Sequence, residues 1–167
     1  HGDAERRILG QAPIDLGIDQ YDTPQARWLA IQSEDGKILA GLRLMPTNAR
    51  CGAYSYFLRD AQKGLLPEVP KTVLTGLAPV LEDTWEASHG FIRNMSATGL
   101  SQEVCKRLYA LLLQTSREEK IVRILGLLSV PWQRWARHNE LSVTPFGPST
   151  LIRGTACRAI SLEPLRG

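Results

Sequence analysis

Two short apolar-rich runs, Arg27 to Gln32 and Lys37 to Met45, flank Glu34-Asp35-Gly36. An Asp-Gly pair supplies the positive backbone angle of a tight turn, so this stretch predicts a β-hairpin. From Pro46 to Pro79 the chain carries Pro46, Pro67, Pro70 and Pro79 with Gly52, Gly64 and Gly76, which limits regular structure to a helix over Tyr54 to Lys63. Thr84 to Ile92 reads as a central strand. Ser101 starts a helix with Glu103 in its first turn, and Val104, Leu108, Leu111, Leu112 and Thr115 recur at helical spacing as far as Arg117. Ile121 to Ser129 is almost wholly apolar, as expected of a strand covered on both faces. Val130-Pro131 ends it and opens a short helix carrying Trp132 and Trp135. Leu141 to Phe146 and Ala156 to Leu162 are further strands, separated by Gly147-Pro148 and Gly154. The strand–helix–strand–helix rhythm places the chain in the α/β class.

Composition narrows the picture only a little. At 167 residues, 43% hydrophobic and 22% charged, the chain suits one domain over residues 1–167. No apolar run approaches the roughly 20 residues needed to cross a bilayer. There is also no charged-then-apolar start of the signal-peptide kind, so a cytoplasmic protein is expected. The chain starts at His1-Gly2 without a methionine, and we read this as a processed or altered start with native residues missing ahead of it. Cys51, Cys105 and Cys157 are odd in number and lack metal-ligand spacing, so they read as reduced structural thiols, with no metal site. A net charge of +3 without a dense basic tract argues against nucleic acid as the partner.

The charged residues set into apolar surroundings carry the chemistry. Asp19 and Asp22, just before the first strand, either hold a cationic substrate group or cap a turn. Arg43 sits mid-strand between Leu42 and Leu44, where it must face solvent or find a carboxylate. Glu86 follows Trp85 in the central strand. Buried there, its pKa would rise, as a base for an amine requires; on an amphipathic strand it would simply face water. His89, three residues on, points to the opposite face unless a bulge intervenes. Ser88 and His89 are candidate substrate contacts. Phe91, Leu125, Leu127 and Trp132 are candidates for an apolar wall, or plain core. Lys106, Arg107, Arg117, Lys120 and Arg123, with Arg134 and Arg137 beyond, would form either a docking face for an acidic partner or a solvated surface.

Asp19-Gln20-Tyr21-Asp22, Gly41-Leu42-Arg43-Leu44 with Pro46-Thr47, and Trp85-Glu86-Ala87-Ser88 stand in the order and approximate spacing of one family. The pattern, from about Gly17 to Phe146, resembles the acyl-homoserine-lactone synthases, bacterial autoinducer synthases with a GNAT-like fold. The resemblance implies a GNAT-like mixed central sheet flanked by helices. It also implies a site lined by Asp19, Asp22, Arg43 and Glu86. The implied reaction moves an acyl group from acyl carrier protein, or from coenzyme A, to the amine of S-adenosylmethionine, with no tightly bound cofactor. Lactone closure then releases methylthioadenosine, and the product is a quorum-sensing signal.

The chain departs from the family in two places. His89 stands where the family carries arginine, a shorter group without the fixed guanidinium fork. The family's N-terminal arginine, aromatic and tryptophan signature has no clear counterpart in His1 to Leu16. A GNAT-like acyltransferase acting on another amine, and a non-catalytic protein holding an acyl or adenosyl ligand, are the alternative readings. Against an ordinary acetyl-coenzyme A enzyme, Arg93 to Leu100 offers only Gly99 toward a phosphate loop.

Overall fold

The computed structural model describes residues 20–93, 98–138 and 140–166, with side chains of the helix that opens at Thr98 described from Gln102. Strands β1 (Arg27–Gln32) and β2 (Ile38–Pro46) form the expected hairpin. Gly36 takes φ 84° at its turn, and Ser33 N–H donates to the Lys37 carbonyl at 2.8 Å. Helix α1 (Phe57–Gln62) lies within the predicted Tyr54 to Lys63 window but is shorter. Strand β3 (Thr84–Ile92) has the predicted bounds.

Helix α2 (Thr98–Glu118) begins three residues before Ser101, so Glu103 falls in its second turn rather than its first. It ends in a Schellman closure. Lys120 adopts φ 56°, Ile121 N–H reaches the Ser116 carbonyl at 2.8 Å, and Lys120 N–H reaches that of Arg117 at 3.3 Å. Strand β4 (Arg123–Ser129) runs straight into helix α3 (Val130–His138). Strand β5 (Val143–Pro145) is shorter than predicted, and β7 (Thr155–Leu162) starts one residue early. Strand β6 (Thr150–Ile152) was not foreseen; it is three residues long, too short to show a period.

Among the described residues, seven strands form one sheet in the order β1-β2-β3-β4-β7-β5, with β6 also on β7. Only β3 and β4 run parallel, joined across the sheet by α2; the other pairs are antiparallel. This is the expected mixed sheet flanked by helices. Side-chain alternation divides its interior in two. Leu29, Leu42, Leu44, Trp85, Ile124 and Ile160 meet Val104, Leu108 and Leu112 of α2. Met45, Leu125, Leu127, Cys157 and Ala159 meet Leu58 and Ala61 of α1. The candidate site lies on the α1 side.

Two constraints position that side. The parallel pairing of β3 with β4 stops at Ala87 and Gly126, although both strands continue, so they part toward their C-terminal ends. At the β5 edge of the sheet, Gly147 brings the chain after β5 against the turn at Lys71–Val73. A Cβ on Gly147 would overlap the carbonyl of Val73. Among the described residues no helix is long and apolar enough to cross a membrane. Because the backbone must move to admit a methyl group there, Gly147→Ala is expected to cost about 2 kcal/mol. Urea unfolding measures this, and an unchanged midpoint would refute the close approach.

Candidate active site

Three neighbouring strands build the polar row. Trp28 of β1 pairs with Arg43 of β2, and Arg43 pairs with Ser88 of β3; Met45 pairs with Glu86 one step along. Strand alternation therefore points Trp28, Arg43, Ser88 and Glu86 to one face. Arg43 is fully buried. A guanidinium removed from water needs partners at every edge, and it has them. Its Nη1 donates to Asp22 Oδ1 at 3.2 Å, and its Nε donates to Ser88 Oγ at 3.2 Å. The rings of Tyr21 and Trp28 lie 5.6 and 5.8 Å from its Cζ. Trp28 in turn donates its indole N–H to the same Asp22 oxygen at 3.3 Å.

Glu86 is buried and is held by the first turn of α1. Its Oε1 accepts the Phe57 N–H at 3.0 Å and its Oε2 the Leu58 N–H at 2.8 Å. The N-cap residue Tyr56 supplies no side-chain cap, so the carboxylate takes up two donors that the helix start leaves open. Burial is the largest influence on its proton and pushes the carboxyl up to about 7, against the opposing pull of the Leu58 and Phe57 amides and of Arg43. A carboxyl poised there exchanges a proton near neutrality.

His89 does not follow simple alternation. The register between β2 and β3 shifts between Gly41 and Arg43, where the partners jump from Phe91 to Ser88, and His89 adopts φ 51°. A bulge of the kind that sets simple alternation aside therefore intervenes: the His89 imidazole lies 6.0 Å from the Trp28 ring, at the edge of the polar row. The bulge also carries Phe91 over Gly41, where a Cβ would come within 2.6 Å of the ring.

The other sequence-predicted residues separate. Asp19 lies outside the described residues. Phe91 and Trp132 are partly buried, and Trp132 stacks edge-on with Trp135 at 5.7 Å. Leu125 and Leu127 belong to the core beneath α1, where they support Glu86 rather than line an open wall. The five cations do not form one patch. Lys106 and Arg107 are exposed on α2, while Arg117 and Lys120 are exposed at its far end. Arg123 departs altogether: strand alternation turns it with Leu125 to the α1 face, where it bonds Ser161 Oγ at 2.7 Å and covers the Phe146 ring at 4.6 Å.

Asp60 was not foreseen. It is fully buried on α1, and its carboxylate accepts the Tyr21 hydroxyl at 2.8 Å, the Ser55 hydroxyl at 2.8 Å and the Ser55 N–H at 3.0 and 3.1 Å. Its only trace in the sequence is one aspartate on a short amphipathic helix, which reads as a solvated position. Among the described residues no group of His, Cys, Asp and Glu could hold a metal ion.

No protein-family model matches the chain. A curated acyl-homoserine-lactone synthase from Aeromonas salmonicida is 26% identical over 156 residues, spanning 89% of this chain and 67% of the relative. Among solved structures, the acyl-homoserine-lactone synthase LasI superposes with a TM-score of 0.73 at 20% identity, covering 98% of this chain and 76% of its own. TofI, solved with an inhibitor and MTA, gives 0.72 at 18% identity over 93% and 74%. The chain has the acyl-homoserine-lactone synthase fold. BjaI, a CoA-dependent synthase solved with SAM and isopentyl-CoA, shares this fold at a TM-score of 0.66 and 18% identity, over 90% of this chain and 64% of its own. The likeness extends over most of this chain and over 64–76% of those three synthases.

The raised pKa of Glu86 has a consequence for stability. A carboxyl whose pKa climbs from 4.5 to about 7 on folding contributes fully below pH 4.5, and that contribution is lost as pH rises through 7. For this buried group the loss is about 3 kcal/mol. The urea stability of the native protein relative to Glu86→Gln should fall by about that amount between pH 4.5 and 8. A difference independent of pH would show that Glu86 titrates normally.

Proposed function

We propose that this chain is an acyltransferase that joins an acyl group to the amine of S-adenosylmethionine and closes the product to an N-acyl-homoserine lactone. The observation that carries the reading is the buried Glu86, poised near neutrality beside the Arg43–Asp22 pair in this fold. The curated relative is itself an acyl-homoserine-lactone synthase. An amine attacks a thioester only when neutral, so Glu86, directly or through one water, takes the proton as the C–N bond forms. The negative charge developing on the thioester oxygen falls to backbone amides where β3 and β4 part. The C–S bond then breaks and the thiol leaves with a proton. The methionine carboxylate next attacks the γ-carbon, the bond from that carbon to the sulfonium breaks, and methylthioadenosine departs. Asp22, with Asp19, favours the cationic end of the substrate, and Arg43 orders the carboxylates around it.

Phe91 near the C-terminal end of β3 and Trp132 just past that of β4 are the residues we assign to the acyl chain, which enters where these strands part. The donor is an acyl thioester of coenzyme A or of an acidic carrier protein. α2 starts and α3 lies at this same end of the sheet, so Lys106 and Arg107 with Arg134 and Arg137 give the carrier a basic approach; Arg117 and Lys120 stand at the opposite end.

Incubation with S-adenosylmethionine and acyl-coenzyme A, or acylated carrier protein, should release free thiol together with lactone and methylthioadenosine, followed by mass spectrometry. Glu86→Gln should lower kcat about 100-fold while methylthioadenosine affinity stays within a few-fold. Adenosyl binding without thioester loss from any donor would make the protein a ligand-binding relative. Lysine-to-glutamate and arginine-to-glutamate changes at Lys106 and Arg107 should raise KM for the carrier protein and leave that for acyl-coenzyme A unchanged. Equal effects on both donors would remove the docking reading.

A further inference from the structure

Asp60 ties together stretches of chain that are remote in sequence. It sits on α1, whose first two N–H groups grip Glu86, and its own carboxylate turns back to hold Ser55, the residue just before the helix cap. The same carboxylate takes the hydroxyl of Tyr21. The Tyr21 ring lies against Arg43, and the next residue, Asp22, bonds that guanidinium. Every one of these donors meets a carboxylate that is fully buried, so no solvent reaches it to substitute for a lost partner.

We infer that Asp60 is a positioning residue, which sets the α1 amides under Glu86 and the Tyr21–Asp22 segment against Arg43 in a single arrangement. The inference rests on Glu86 being the base proposed above, but its physical content is separable from that reaction. The charged and titratable groups facing Glu86 are Arg43 from β2, Asp60 and the cap residue Tyr56 from α1 and its approach, and Tyr21 from the segment before β1. Of these, Asp60 is the anion, so its charge disfavours ionisation of Glu86, and burial remains the larger influence. Through Tyr21 it also governs where Asp22 stands, without touching substrate.

Two variants separate positioning from mere support of the fold. Asp60→Asn keeps an oxygen for Ser55 and removes the charge; Tyr21→Phe keeps the ring on Arg43 and removes the tie to Asp60. Glu86 is followed directly by carbon-13 NMR of glutamate-labelled protein, its signal assigned with Glu86→Gln. Methylthioadenosine binding is followed by calorimetry.

In Asp60→Asn the Glu86 midpoint should move to lower pH, and the acid limb of kcat/KM should move with it. In Tyr21→Phe the Glu86 midpoint should hold, while methylthioadenosine binds about tenfold more weakly, a change of 1.4 kcal/mol. A purely structural Asp60 would lower the melting temperature of both variants and leave the methylthioadenosine affinity of Tyr21→Phe unmoved, which overturns the inference. Should Asp60→Asn fail to fold, Tyr21→Phe decides by affinity alone: unchanged binding overturns the inference and a tenfold loss sustains it. If Tyr21→Phe weakens methylthioadenosine binding as expected but no donor yields product, the synthase reading fails while the role of Asp60 stands.

Discussion

A carboxylate in the middle of a sheet must be given donors or give up its charge, and Glu86 is balanced between these outcomes by the first turn of α1. Phe57 and Leu58 offer it the N–H groups that every helix start leaves open. Asp60 completes the arrangement from within the same helix by taking Ser55, so a second buried carboxylate fixes the residue before the cap. The short helix is therefore stabilised by the groups it positions. Its six residues would be marginal alone, and Leu58 and Ala61 anchor it to the sheet.

Arg43 is the counterpart on the neighbouring strand. Full burial of a guanidinium is costly, and here the cost is offset by Asp22, Ser88 and two aromatic faces rather than by a single ion pair. Since Trp28 also bonds Asp22, the outer hairpin and the segment before it are locked to the same charge. The bulge at His89 then turns β3 away from β4 just past this cluster, so the polar row ends where the parallel strands part. A regular strand would have placed His89 on the α2 face, among aliphatic residues with which an imidazole has little affinity.

Much of this was legible in the chain. The hairpin was signalled by Asp35-Gly36, β4 by its almost wholly apolar run, and the step from β4 into α3 by Val130-Pro131. Arg43 and Glu86 stood out because charge inside an apolar strand has few harmless explanations. Asp60 did not stand out, because on a short amphipathic helix an aspartate is the residue expected to face water. Arg123 misled for a related reason: its neighbours along the sequence place it with the α2 cations, yet a strand turns successive side chains to opposite faces.

The sequence by itself determined the elements and the charged residues that they must accommodate, since local periodicity, turn chemistry and the cost of burying charge act over a few residues. Which of those charges meet was decided only by the tertiary structure. Tyr21 and Asp60 are 39 residues apart, Arg43 and Ser88 are 45 apart, and their contact depends on strand register, on one bulge and on where a short helix lands. The poise of Glu86 belongs to the same level, because burial is its largest cause and burial is a property of the packed sheet.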